Sequence, residues 1–313
     1  MKIFIFGLGA LGTVYSCLLK EQGHNVSGLD RETVASAVRE RGVRVEGIWG
    51  EHRAQLDAVF TGVEQISGHD YDLLILTVKS YETALVAEQI AQFISPQTFI
   101  LLAQNGYGNF EAAAKFIPPE RLILGRVIFG AETTDLGASK VTVIADDVII
   151  GSPANLIDPQ VLETFSQAFN AAGIPTRTSS EVMKFVWAKI IYNSALNPLG
   201  AILEVPYGKL AENQHTRELM DSVITEIFEV LAAHGQETPW ADADAYRQAF
   251  YGQMIPPTAL HHASMLQDIQ RGRQTEIEAL NGAVVRLGRD YAVPTPVNRV
   301  ITTMLKAKEE MSG

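Results

Sequence analysis

Two sets of residues have types and spacings that do chemistry. The first is Gly7-Leu8-Gly9-Ala10-Leu11-Gly12, set directly behind the short apolar strand expected over Met1–Phe6. Strand, Gly-x-Gly-x-x-Gly and helix in that order form the phosphate-binding opening of a dinucleotide-binding βαβ unit. Gly7 makes the tight turn, Gly9 lets the backbone approach a pyrophosphate, and Gly12 lets the helix pack close to the strand. The helix N-terminus adds unpaired N–H groups and a partial positive charge. The second set is Lys189, Asn193 and Asn197, at i, i+4 and i+8. At about 100° per residue they drift only about 80° over two turns, so they share one helix face. Their neighbours Ile190, Ile191, Ala195 and Leu196 are apolar. An ammonium and two carboxamides in that setting make a half-buried polar stripe, and such groups need partners that a bound ligand can supply.

The elements that must position these groups follow from periodicity. After the first strand, Thr13–Glu21 reads as a helix, with Cys17 in its core face, and Asn25–Leu29 as the second strand. That strand ends in Asp30-Arg31, 18 and 19 residues past Gly12, where the unit meets the adenosine ribose. An acidic residue there favours the free 2′-hydroxyl of NAD, and an arginine favours the 2′-phosphate of NADP. Thr33–Glu40 reads as a helix, Val43–Glu46 and part of Arg53–Thr61 as strands. Asp72–Val78 is a near-continuous apolar run, the pattern of a strand buried on both faces of a parallel sheet. Lys79 follows it, and Asn105 follows the strand Thr98–Ala103. Both stand at carboxyl ends of strands, where open α/β sheets bind ligands. Leu122–Phe129, Val141–Ala145 and Val148–Ile150 read as further strands, Pro159–Ala171 as a helix and Ile174–Thr176 as a short strand.

From Glu181 onward the periodicity is mostly helical. The expected organisation is an α/β Rossmann-type N-terminal domain over residues 1–178 and an all-α C-terminal domain over residues 179–313. Pro198 falls beside the polar stripe. A helix that continues past it deprives the Ser194 carbonyl of its donor; otherwise the helix ends there. A second polar cluster runs from Ser264 to Gly282 and includes Asp268, Arg273, Glu276 and Asn281. A glutamate near a helix start also simply complements the dipole. His261 and His262 are adjacent, which points their rings apart on a helix, so no metal site is expected.

The chain has 313 residues, 47% of them hydrophobic and 19% charged, with a net charge of −11. That length predicts two domains with sizeable cores. The acidic balance argues against nucleic acid or an anionic membrane surface as partner. The single cysteine excludes an internal disulfide. No apolar run reaches membrane-spanning length, and the chain opens on a strand rather than an export signal, so a cytoplasmic protein is expected.

Taken together, the chain resembles the ketopantoate reductase family (2-dehydropantoate 2-reductases) over essentially its full length. The resemblance is carried by the glycine motif, Val78-Lys79-Ser80-Tyr81, Gln104-Asn105-Gly106, Trp187-Ala188-Lys189 with Asn193 and Asn197-Pro198-Leu199, Ser264–Ile269, Gly272–Glu278 and Asn281-Gly282. It implies NADPH-dependent reduction of 2-dehydropantoate to (R)-pantoate, a step toward pantothenate and coenzyme A, at a site between the two domains. Carried over by position, Lys189 is the implied proton donor to the ketone oxygen. Asn105, Asn193, Asn197 and Ser264 are the implied substrate contacts. Gly7 to Gly12, Arg31, Lys79, Asn105 and Glu276 are the implied cofactor contacts. A positioned ammonium suits the chemistry, because negative charge grows on the oxygen as hydride reaches C2. Two departures stand out. Asp30 beside Arg31 opposes a 2′-phosphate, which keeps NAD open beside the expected NADP. Tyr207 stands where the family often has a substrate-binding asparagine. A reductase of another bulky 2-oxo acid, and a dinucleotide-binding sensor without turnover, are the competing readings; the retained Lys189, Asn193, Asn197, Ser264 and Glu276 speak against the sensor. The small-molecule partner is thus a 2-oxo acid, and the chain is expected as a monomer or homodimer.

Overall fold

In a computed structural model, residues 1–68 and 70–312 are described. By packing they fall into two compact units, Met1–Gln104 with Asn109–Val182, and Asn105–Gly108 with Met183–Gly313.

The first unit is α/β. Its strands are β1 (Lys2–Phe6), β2 (Asn25–Leu29), β3 (Val43–Gly47), β4 (His52–Ala54), β5 (Ala58–Phe60), β6 (Leu73–Leu76), β7 (Phe99–Leu102), β8 (Leu122–Arg126), β9 (Phe129–Asp135), β10 (Ala138–Ile144), β11 (Val148–Gly151) and β12 (Thr176–Thr178). Its helices are α1 (Ala10–Glu21), α2 (Glu32–Arg41), α3 (Thr83–Ile90), α4 (Asn109–Ala113) and α5 (Pro159–Ala171). Among the described residues the main sheet has eight strands in the order β12-β11-β8-β7-β6-β1-β2-β5. All its pairings are parallel except β11 against β8. This is a Rossmann-like sheet, and its central strands β1, β6 and β7 are buried, as their unbroken apolar runs predict. A smaller sheet, β4-β3-β10-β9, packs against α1. Ile3, Ile5, Val14, Leu18, Ile75 and Phe169 lie in one core. Each contributes about 1.5–3 kcal/mol by leaving water. Cys17 is part of that core, and burial pushes its thiol up to about 12.

Three expectations change in this unit. The first helix starts at Ala10 rather than Thr13, so the last glycine of the motif is already helical. Phe129 opens a strand of its own instead of closing β8. β9 carries Glu132-Thr133-Thr134 on a half-exposed sheet edge, which leaves it no alternating apolar signal. The last strand lies at Thr176–Thr178, two residues later than expected, where it pairs with β11.

The second unit is helical: α6 (Val182–Leu203), α7 (Tyr207–Glu212), α8 (Gln214–His234), α9 (Ala243–Ala249), α10 (Ser264–Gln270), α11 (Asn281–Asp290) and α12 (Pro296–Ser312). Its core includes Trp187, Ile191, Leu196, Ile227, Phe250 and Val284. α6 is apolar nearly all round, as a helix packed on several sides must be. It runs unbroken through Pro198, which settles that alternative.

Candidate active site

The glycine motif lies at the carboxyl edge of the main sheet. Gly7 has φ +97° and its N–H bonds the Leu29 carbonyl at 2.9 Å, which closes the turn out of β1. The Thr77 hydroxyl, just past β6, donates to the Gly7 carbonyl at 2.6 Å. A Cβ built on Gly12 would lie 1.8 Å from that carbonyl oxygen, so only glycine lets α1 sit this close to β1. A Cβ on Gly9 would meet nothing within 4 Å. The bareness of Gly9 therefore serves no contact inside the protein and leaves an exposed backbone cradle. The first backbone bond of α1 is Thr13 N–H to the Gly9 carbonyl, which leaves the Ala10, Leu11 and Gly12 amides at the helix mouth. This arrangement fits a dinucleotide pyrophosphate.

Asp30 sits at the end of β2 with its carboxylate turned inward. Oδ2 accepts the Leu8 N–H at 2.6 Å and Oδ1 the Arg31 N–H at 2.7 Å. The acid thus braces the glycine loop itself, a function its sequence position does not reveal. The Arg31 side chain is 79% exposed, against 13% for Asp30. Lys79 lies three residues past β6, half-buried, in extended backbone ahead of the turn Ser80–Glu82.

The second unit holds the other group of residues. Lys189, Asn193 and Asn197 follow one face of α6; the lysine is half-buried and both asparagines are buried. Lys189 Nζ donates to Asn105 Oδ1 at 2.7 Å, and Asn105 Nδ2 donates to Glu276 Oε2 at 3.3 Å. An ammonium, a carboxamide and a buried carboxylate are thus joined in a row. Spacing along the chain gives no sign of this, because Asn105 is 84 residues from Lys189 and 171 from Glu276. Asn105 is held by its own backbone. Gly106 has φ +87°, and a Cβ there would fall 2.5 Å from the Ala279 carbonyl oxygen. Tyr107 N–H bonds that same carbonyl at 2.8 Å, and its ring stacks on Trp187 with centroids 5.0 Å apart. Ser264 is the exposed first residue of α10. Its neighbour Ala263 packs on α6, 3.5 Å from where a Cβ on Gly200 would stand. No bond joins Ser264 to the Lys189 row among the described residues.

The family model described as "Ketopantoate reductase PanE/ApbA" matches residues 3–155 of the chain, which include the glycine motif. The C-terminal model, "Ketopantoate reductase PanE/ApbA C terminal", matches residues 181–309. The chain belongs to the ketopantoate reductase family. A 2-dehydropantoate 2-reductase of Aquifex aeolicus is 47% identical to it over 309 residues, 99% of this chain and 97% of that protein. Among solved structures, D-mandelate dehydrogenase with NADH and anilino(oxo)acetate is similar with a TM-score of 0.89 at 26% identity, over 100% of this chain and 99% of that one. A PanE/ApbA family ketopantoate reductase from Ralstonia eutropha gives 0.88 at 28% identity, with the same coverage of each chain.

In this member of the ketopantoate reductase family the polar stripe survives a proline because a distant amide repairs the helix. Pro198 has no N–H for the Ser194 carbonyl. Asn281 Nδ2 donates to that carbonyl at 3.1 Å and also to Asn298 Oδ1 at 2.9 Å. Asn298 Nδ2 in turn bonds Glu226 Oε2 at 2.7 Å, and the Glu226 carboxylate accepts the Val297 and Asn298 amides that open α12. All three side chains are buried. Asn281→Leu leaves two buried acceptors unpaired and is expected to cost about 3 kcal/mol in chemical denaturation. A loss under about 1 kcal/mol would show that this network does not carry α6 past the proline. Among the described residues no group of three or more His, Cys, Asp or Glu is placed to hold a metal. Likewise, no helix of the described residues is long and apolar enough to cross a membrane.

Proposed function

We propose that the chain reduces 2-dehydropantoate to (R)-pantoate with NADPH, in the cytoplasm and as a monomer or homodimer. The observation that carries the reading is the Lys189–Asn105–Glu276 row beside the buried carboxamides of α6. The name and 47% identity of the Aquifex aeolicus relative support the substrate.

Gly7 to Gly12 with Arg31 and Lys79 would hold the dinucleotide, which when bound would supply hydride for C2 of the oxo acid. The residues of this chain do the rest. Lys189 directs its N–H groups at the ketone oxygen, where negative charge grows, and then gives that oxygen a proton. Asn105 accepts one ammonium N–H, which limits the directions the others take. Glu276 accepts from Asn105 Nδ2 and so determines that the carbonyl end of the amide faces Lys189. Asn193, Asn197 and Ser264 hold the carboxylate and hydroxyl through neutral groups, and the Lys189 charge offsets burial of the carboxylate. Asn105 and Glu276 would also serve the cofactor in this reading.

For NADP, the support is Arg31, whose side chain is 79% exposed with Nε 3.9 Å from Asp30 Oδ1, while the Asp30 carboxylate also accepts the Leu8 and Arg31 amides. Arg31→Ala is expected to raise KM for NADPH about 30-fold, the worth of charge-assisted bonds to a phosphate, and to leave KM for NADH within about twofold. An unchanged KM for NADPH would overturn the cofactor assignment. A second reading rests on Asp30 and on the similar D-mandelate dehydrogenase, whose structure holds NADH: reduction of another bulky 2-oxo acid with NADH. Parallel turnover of 2-dehydropantoate and of an aryl 2-oxo acid with each nucleotide separates the two. The first reading requires the highest kcat/KM for 2-dehydropantoate with NADPH.

A further inference from the structure

Tyr207 opens α7 behind Pro206, and its side chain is 4% exposed. Its backbone is tied down on both sides, by Tyr207 N–H to the His261 carbonyl at 3.1 Å and Gly208 N–H to the Ala259 carbonyl at 2.8 Å. The ring meets Tyr192 edge-on with centroids 6.0 Å apart and His261 at 5.3 Å. Its hydroxyl donates to Asn197 Oδ1 at 2.5 Å. Burial pushes the Tyr207 phenol well up, so the proton stays on that bond throughout the working range of pH. Asn197 itself is 6% exposed, and its Nδ2 bonds no other described residue.

We propose that Tyr207 is a specificity-determining residue that turns Asn197 into a donor-only contact. With its carbonyl oxygen anchored on the phenol, the carboxamide is held in one orientation and presents its N–H end to a ligand. The group seated there must be an oxygen acceptor, the carboxylate, carbonyl or hydroxyl oxygen of a 2-oxo acid, and a group that offers only N–H is refused. An asparagine without such a clamp turns over and offers either end. The proposal rests on the substrate contact assigned to Asn197 above, and it places Tyr207 behind that contact, not against the substrate.

The test compares Tyr207→Phe, Asn197→Ala and the double variant in the full-length protein, with NADPH and 2-dehydropantoate. Tyr207→Phe removes one hydroxyl and is expected to raise KM about tenfold with kcat within about threefold. On the Asn197→Ala background the same change is expected to add less than about twofold, because its effect passes through Asn197. A general packing role would instead give the same factor in both backgrounds, and that result overturns the proposal. An unchanged KM in Tyr207→Phe beside a raised KM in Asn197→Ala also overturns it and leaves the substrate contact standing. An unchanged KM in both removes Asn197 from substrate binding and the proposal with it. Asn197→Asp provides a check that does not depend on how the Phe variant folds. It keeps an acceptor for Tyr207 but presents a carboxylate oxygen where an N–H was, and it is expected to raise KM more than 100-fold. A KM near the wild-type value there contradicts a donor at this position.

Discussion

Lys189→Ala is expected to lower kcat for 2-dehydropantoate about 10³-fold, while the Kd for NADPH stays within about threefold. The size follows from two losses at one position. In the proposed reaction Lys189 is the proton donor and the preorganised charge on the growing oxyanion, and the variant lacks both. Asn105 and Glu276 remain, but with the ammonium gone the amide carbonyl has lost its Lys189 donor, and its lone pairs repel an oxyanion rather than stabilise it. Lys189→Arg keeps the charge and still loses most of the rate, since a guanidinium does not give up its proton near neutrality and its planar fork cannot repeat the 2.7 Å bond to Asn105 in the same geometry. Single-turnover rates and nucleotide fluorescence titration measure the two quantities separately. A kcat within about threefold of wild type in Lys189→Ala would remove this residue from the chemistry.

The second large effect concerns the glycine loop and has an internal control. Gly12→Ala puts a methyl 1.8 Å from the Gly7 carbonyl oxygen, 2.9 Å from its carbon and 2.7 Å from Thr77 Oγ1. The first two are backbone atoms and cannot rotate away. α1 must lift off β1 or the turn at Gly7 must open, so a loss of about 3 kcal/mol in stability is expected together with a rise of more than 100-fold in the Kd for NADPH. Gly9→Ala meets nothing within 4 Å. Its stability is expected to stay within about 0.5 kcal/mol of wild type while nucleotide affinity still falls about tenfold or more. Denaturation and nucleotide titration on both variants decide the matter. Equal nucleotide binding by Gly9→Ala and wild type would show that the bare backbone at Gly9 is not a cradle for phosphate.

Much of the first unit was legible in the sequence because its signals are local. β2 lies at Asn25–Leu29 and α5 at Pro159–Ala171, as periodicity and flanking turn residues require. β9 was not legible, since a polar edge strand is held by its neighbour β10 and not by its own pattern. In the helical unit the i, i+4, i+8 stripe was readable, and so was the problem posed by Pro198. Its solution was not, because the replacement donor Asn281 lies 87 residues downstream of Ser194. The same holds for the row through Asn105. Local sequence places that residue at the end of a strand, whereas the +87° φ of Gly106 and the Tyr107–Ala279 bond seat it with the helical unit. Asp30 shows the limit from the other side. Its position predicts a contact with ribose and gives no sign of the backbone amides of Leu8 and Arg31 that its carboxylate also accepts.

In the proposed reaction NADPH and 2-dehydropantoate leave as oxidised cofactor and (R)-pantoate, with Lys189 as the proton donor. The most direct test follows the nicotinamide absorbance of NADPH with purified protein and 2-dehydropantoate, with chiral analysis of the product. The account predicts one NADPH oxidised per (R)-pantoate formed, at a rate that saturates in both reactants. NADPH that binds but is not oxidised in the presence of 2-dehydropantoate would contradict it.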